Sequence, residues 1–314
     1  MTKSSSLHIA VSASSFSKNP VLREEVSAQF PKVRFNENTL NSDALIQFIG
    51  DAEAAIVGRE AITDTVLQRC PNLKIISKYG VGLDNVDMAA CEKYGVKIGW
   101  TGGVNRLCVA EMTLAFMIAL SRNLYSTSVQ LKGGTWNKNG GRQLSEKTIG
   151  IIGVGHIGKE LIRLLAPFKC RILANDIIQQ DEYYQRVSAT PVSKAELYAE
   201  SDIISIHTPL NDDTRGLIDK ESLKAMKPNA VLINTARGGI VNENDLKAAL
   251  IKQEISGAAL DVFEEEPPVD SELLSLPQLF CTPHIGGNAQ EAVLAMGRSA
   301  IGHLKDWHEN TIHH

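Results

Sequence analysis

The sequence predicts an α/β protein made of two doubly wound parallel-sheet domains with a cleft between them. Three observations carry this. Short apolar runs alternate with amphipathic helical patterns along the chain. The runs are apolar on both faces, as strands covered by helices above and below must be. They also fall into two series, separated by a long helical pattern at residues 104–122 and a polar, glycine-rich stretch at 132–143. A length of 314 residues suits two domains at roughly 150 residues each.

The first series reads LHIAV (7–11), AAIVG (54–58), KIISK (74–78) and VKIGW (96–100). The second reads TIGIIG (148–153), RILAND (171–176), IISIH (203–207), AVLIN (230–234), GAALDV (257–262) and LFCTP (279–283). A last helical pattern at 289–307 has no strand to cross over to. Packed back on the first series, it would make that domain discontinuous. The expected domains are residues 1–101 with 288–314, and residues 102–287.

Composition narrows the function. Apolar residues at 43% and charged residues at 22% are ordinary for a globular chain. A net charge of -4 and a pI near 6.1 leave no electrostatic footprint for nucleic acid or an anionic membrane, so neither partner is expected. Cys70, Cys91, Cys108, Cys170 and Cys281 include no C-x-x-C pair and no Cys/His cluster. That pattern points to reduced thiols, a cytoplasmic setting and no metal site. The apolar run at 7–11 is too short for a signal peptide, and no stretch reaches the roughly 20 apolar residues of a membrane helix.

Gly153-Val154-Gly155-His156-Ile157-Gly158 fits G-x-G-x-x-G. The motif alone is weak, but it follows an apolar strand, opens the helical pattern KELIRLLAPF, and precedes a second strand ending at Asp176. This is the order of a dinucleotide-binding, Rossmann-like unit. Gly153 and Gly155 allow a tight turn and close backbone approach to a pyrophosphate, and Gly158 lets helix pack on strand. Asp176 suits ribose hydroxyls and repels a 2′-phosphate, and Ile177 and Ile178 add no compensating charge. NAD is therefore expected over NADP.

Hydride chemistry on a 2-hydroxy or 2-keto acid also needs a cation for the carboxylate, a proton donor and a group to tune that donor. Arg237 follows the run AVLINTA, Glu266 follows GAALDVFEE and His284 follows LFCTP. Each stands at a strand end, where doubly wound sheets place ligands. Histidine titrates near working pH, and a carboxylate on its far nitrogen would set its tautomer. Singly, the arginine reads as surface charge, Glu264 to Glu266 as a solvated acidic run, and the histidine as a helix cap. Their joint placement beyond a nucleotide motif favours the chemical reading.

GIIGVGHIG (150–158), NTARGG (234–239), ALDVFEEEPP (259–268) and TPHIGG (282–287) resemble the D-isomer-specific 2-hydroxyacid dehydrogenase family. KYGVGLDNVD (78–87) and GGVNRLCVAE (102–111) resemble its substrate-domain loop and interdomain helix. The likeness runs from about Ala54 onward and is nearest in pattern to D-3-phosphoglycerate dehydrogenases. It implies a substrate domain followed by an NAD domain, with His284 as acid/base, Glu266 as its partner and Arg237 as substrate anchor. It further implies cofactor contacts from His156, Ile157, Thr208, Pro209, Thr235, Ala236, Asp261, Gly286 and Gly287, with Asp261 on the nicotinamide carboxamide.

The same resemblance puts the substrate carboxylate on the backbone of Gly80, Val81 and Gly82. Specificity would come from loops around Arg59, Lys78 and Asn105, with Arg59, Lys78 and Arg106 as candidates for a phosphate clamp. It implies a homodimer built through the NAD domain, with Trp136 reaching towards the neighbouring subunit's site. Gly102 stands where the family often has proline, so a looser hinge is expected. No serine-responsive regulatory domain is expected. The expected activity interconverts a small D-2-hydroxy acid and its keto acid, with 3-phosphoglycerate (serine biosynthesis) first and hydroxypyruvate, glyoxylate or lactate-like acids behind it. The alternative of another class is an NAD-sensing scaffold like the C-terminal-binding-protein corepressors.

Overall fold

The computed structural model describes residues 7–312. The expectation that no signal segment leads the chain rests partly on residues 1–6, which lie outside the described residues. Two compact units divide the chain. One runs to Asn105 and takes up the chain again from Gln290, and the other is Arg106–Ala289.

The first unit is built on a five-stranded sheet of β1 (His8–Val11), β2 (Lys32–Phe35), β3 (Ala54–Val57), β4 (Ile75–Lys78) and β5 (Lys97–Gly99). Its order is β2-β1-β3-β4-β5 and every pairing is parallel. The chain winds outward from β1 in both directions, so helices must cover both faces. Accordingly β3 and β4 are buried along their whole length. The edge strand β2 was not foreseen, because KVRF needs one apolar face only and offers two apolar residues. Helix Pro20–Gln29 starts where Asn19 accepts a hydrogen bond from Leu22 N and proline pre-sets the first turn.

Helix Gln290–Ile312 belongs to this unit. Met296, Ala300, Ile301 and Leu304 share a core with Ile9, Leu22, Val26 and Ile75. The hydroxyl of Ser77 donates to the Ala300 carbonyl at 2.7 Å. The helix crosses β5 so closely that a Cβ on Gly99 would lie 2.5 Å from His303 Cβ.

The second unit carries a seven-stranded parallel sheet: β6 (Thr148–Ile152), β7 (Arg171–Asn175), β8 (Ala189–Pro191), β9 (Ile203–Ile206), β10 (Val231–Asn234), β11 (Gly257–Leu260) and β12 (Leu279–Cys281). The order is β12-β11-β10-β9-β6-β7-β8. The winding reverses between β6 and β9, so the loops leaving these neighbours diverge and open a crevice at their carboxyl ends. Adjacent residues feed opposite cores: Ile151 and Ile233 sit in one with Phe116, Met117 and Leu161, and Ile152 and Leu232 in the other with Leu246 and Leu260. β8 was not foreseen either. It is a three-residue edge strand ending in Pro191, a residue that only an edge tolerates.

The helical pattern at 104–122 forms helix Arg106–Ser121, which buries Val109, Ala110, Thr113, Phe116 and Met117. Asn123, in the left-handed region at φ 52°, turns the chain into a second helix, Leu124–Lys132, that the sequence reading missed. This helix buries no side chain and exposes Leu124, Tyr125, Val129 and Leu131. Among the described residues no single helix is long and apolar enough to cross a membrane. The Gly99 contact makes a test: Gly99→Val is expected to destabilise the first unit by about 1–3 kcal/mol, read as a lower midpoint in thermal unfolding. An unchanged midpoint would mean that the helix can shift to make room.

Candidate active site

The glycine turn follows β6. Gly153 adopts φ 91° and packs against the next strand's exit, where a Cβ would lie 2.7 Å from the His207 carbonyl. Gly158 rests on the Gly153 carbonyl, which would lie 2.3 Å from a Cβ. Gly155 differs, because nothing lies within 4 Å of the place its Cβ would take. The protein gives no packing reason for glycine there, whereas a pyrophosphate laid against the start of helix His156–Leu165 does. His156 is exposed and Ile157 half-buried at that helix start. Asp176, just past β7, accepts from Val154 N at 2.5 Å and Ile178 N at 2.9 Å, so its carboxylate faces the glycine turn.

His207, Thr208 and Pro209 leave β9 on the other side of the switch point. His207 Nε2 lies 2.9 Å from Ser205 Oγ. Its Nδ1 and the hydroxyl of Thr208 are buried without a hydrogen-bond partner among the described residues. Unpaired polar atoms beside an open glycine turn fit a site that a polar ligand completes. Burial pushes the His207 imidazole down to about 3.

The remaining candidates stand at the ends of β10, β11 and β12. Beyond β10, Asn234 donates from Nδ2 to the Arg237 carbonyl at 2.8 Å and accepts from Ala236 N at 3.0 Å, fixing the turn that presents Arg237. Arg237 Nη1 donates to the Ala236 carbonyl at 2.7 Å. Thr113 spends its proton on the Val109 carbonyl, so at 2.9 Å the Thr235 hydroxyl must donate to Thr113. Sequence reasoning missed Asn234. Its signal is a buried asparagine closing an otherwise apolar strand.

Beyond β11, Asp261 is 1% exposed and accepts three hydrogen bonds from the loop after β12. They come from the Thr282 hydroxyl at 2.6 Å, Ile285 N at 2.8 Å and Gly286 N at 2.7 Å. Both carboxylate oxygens thus hold this loop, a role that the sequence reading did not assign. His284, between those donors, has φ 53°, a left-handed conformation that costs a non-glycine residue roughly 1–2 kcal/mol. Its Nδ1 lies 2.9 Å from both oxygens of Glu266. A carboxylate there keeps the proton on Nδ1 and leaves Nε2 to exchange protons with a ligand. Glu264 and Glu265 are exposed and Glu266 is half-buried. The cluster therefore brings His284 and Glu266 together, while Asp261 holds the loop and Asn234 the neighbouring turn.

In the first unit, the loops after β3 and β4 carry the other candidates. Arg59 is exposed, whereas Lys78 is 6% exposed and its ammonium is engaged by Gly58 O and Asn85 Oδ1. Lys78 therefore does not stand open as part of a phosphate clamp. Gly80, Val81 and Gly82 form a half-buried turn with Gly80 at φ 123°. Among the described residues none of their three N–H groups donates a hydrogen bond. Asn105 is 9% exposed, and its buried Oδ1 has no hydrogen-bond partner among the described residues. Among the described residues no group of three His, Cys, Asp or Glu side chains could hold a metal ion.

A glycine turn at a switch point and a histidine–carboxylate pair at strand ends of the same sheet define a nicotinamide-dependent oxidoreductase. Comparison with known proteins gives its family. The model of the D-isomer specific 2-hydroxyacid dehydrogenase NAD-binding domain matches residues 114–286. The chain is 36% identical to hydroxypyruvate reductase of Thermotoga maritima over 267 residues, 82% of this chain and 85% of that one. It is 35% identical to D-3-phosphoglycerate dehydrogenase of Methanocaldococcus jannaschii, covering 85% of this chain and 52% of that protein. It thus spans about half the length of that relative. The crystal structure of a glyoxylate reductase from Paecilomyes thermophila superposes with a TM-score of 0.86 at 26% identity over 96% of both chains. The chain belongs to the D-isomer specific 2-hydroxyacid dehydrogenase family, and its cofactor is NAD.

His207 gives the site a pH signature. It is neutral when folded and titrates near its ordinary 6.5 when unfolded, so its contribution to stability is present above 6.5 and lost as pH falls towards 3. Between pH 7 and 4 the melting temperature of His207→Gln is expected to fall less than that of the wild type. Equal slopes would assign the acid sensitivity to other groups.

Proposed function

We propose that the chain reduces a small unphosphorylated 2-keto acid, of the hydroxypyruvate or glyoxylate class, to the corresponding 2-hydroxy acid, of D configuration where the product is chiral. The observation that carries this reading is the 2.9 Å contact between His284 Nδ1 and the Glu266 carboxylate. NADH, when bound, supplies the hydride. Protonated His284 donates from Nε2 to the keto oxygen as charge develops there, and Glu266 stabilises the imidazolium that precedes this transfer. Arg237 binds the substrate carboxylate and polarises the carbonyl. The three N–H groups of the 80–82 turn take the carboxylate as an anion nest would. Asp261 holds His284 in place, and its role towards the nicotinamide carboxamide is part of this proposal.

Lys78 favours an unphosphorylated substrate, because a cation that could have met a phosphate is enclosed and engaged. Arg106 is placed 3.6 Å from Glu160. The second reading, 3-phosphohydroxypyruvate with a place in serine biosynthesis, draws on the exposed Arg59. Apolar side chains exposed along Leu124–Lys132, with Trp136 at 77% exposure, support a homodimer through this unit.

NADH oxidation against hydroxypyruvate, glyoxylate, pyruvate and 3-phosphohydroxypyruvate decides the substrate. Preference for the phosphorylated acid would replace the first reading by the second. NADH binding with no turnover of any acid would leave the NAD-sensing scaffold. His284→Ala is expected to lower kcat by about 10²–10⁴-fold with NADH affinity kept. Near-normal turnover by that variant would remove His284 from the chemistry.

A further inference from the structure

Lysine is rarely enclosed without compensation. Lys78 closes β4 at 6% exposure, and its ammonium donates to the Gly58 carbonyl and to Asn85 Oδ1, the latter at 3.0 Å. Asn85 completes the link, because its Nδ2 donates to the carbonyls of Gly58, at 3.2 Å, and Glu60. Its own carbonyl accepts from Ile62 N at 2.8 Å. Lysine and asparagine together tie the loop after β3 to the loop after β4.

Between the two residues of this clasp lies the 80–82 turn with its three undonated N–H groups. The place a Gly80 Cβ would take is 4.0 Å from Lys78 Nζ. A positive charge this near, sheltered from water, is weakly screened and raises the potential at the turn. The same contacts remove conformational freedom from the turn before any ligand arrives.

We propose that Lys78, with Asn85, is a positioning residue for the substrate carboxylate. It sets the anion affinity of the Gly80–Gly82 turn from beneath, without touching the substrate. This rests on the reading of that turn as the carboxylate site. An interaction that binds ground state and transition state alike appears in KM and spares kcat.

The test compares Lys78→Met with Lys78→Arg. In Lys78→Met, KM for the best keto acid is expected to rise about tenfold or more, with kcat within about threefold and NADH affinity unchanged. Lys78→Arg keeps the charge and should return KM to within about threefold of the wild type. Oxamate, an unreactive analogue, should bind the NADH complex of Lys78→Met more weakly by the same factor, followed by NADH fluorescence. A lower melting temperature with unchanged KM and oxamate affinity would overturn the proposal and leave Lys78 a folding residue.

Should Lys78→Met fail to fold, Asn85→Ala opens one half of the clasp, and an unchanged KM there would overturn the proposal equally. If the wild type reduces no keto acid, the reaction reading fails on its own. Oxamate bound by the wild type and lost in Lys78→Met would still support the clasp, and equal or absent binding in both would overturn it.

Discussion

The buried carboxylate of Asp261 is the contact on which the arrangement in the second unit depends. An enclosed charge is costly unless several donors meet it. Here the donors are the Thr282 hydroxyl and the amides of Ile285 and Gly286, on either side of His284. The charge is satisfied only when the loop after β12 curls around it, and that curl forces His284 into the left-handed region. Desolvation of one carboxylate thus holds a backbone strain that puts the imidazole against Glu266. The strain stands beside the His284–Glu266 contact, where over-determined structure can sustain it.

Parallel winding does the rest. All strands of a sheet run one way, so every turn carrying a candidate group emerges on the same edge of its sheet. The turn after β10 owes its shape to Asn234, and the turn after β6 owes its shape to three glycines with three different duties. One meets the neighbouring strand exit, one meets the preceding turn, and one meets open space. In the first unit the β4 exit relies on a lysine and an asparagine in the same way as the β12 exit relies on an aspartate. In both, a buried polar group spends its bonding capacity on a backbone turn.

Much of this was legible in the sequence, and for definite reasons. Strands with two covered faces, such as AVLIN and IISIH, are mostly apolar on both faces and announce themselves. Gly153, Gly155, Gly158 and Asp176 are spaced by covalent geometry within one β-α-β unit, so order along the chain carries order in space. The pairing of His284 with Glu266 was given by resemblance, since an 18-residue separation says nothing of a 2.9 Å contact. The hidden parts depend on long-range placement. Asp261 was read as a ligand contact because its three donors lie more than twenty residues away. Lys78 was read as a candidate for a phosphate clamp because nothing in the sequence shows its carbonyl partner, Gly58, which belongs to another loop. Helix Leu124–Lys132 escaped notice because none of its side chains is buried.

The strands that the sequence hid, β2 and β8, lie at the rims of the two sheets. A rim strand offers its free amides and carbonyls to any passing extended chain, which makes it the natural starting point for aggregation. The first sheet ends in KVRF, with charged side chains on alternate positions, and the second ends in ATP, three residues closed by a proline nitrogen that cannot donate. The features that made these strands hard to recognise are those that discourage sheets of separate molecules from joining edge to edge. In this chain, poor legibility at the margins and protection of two sheet edges have a common cause.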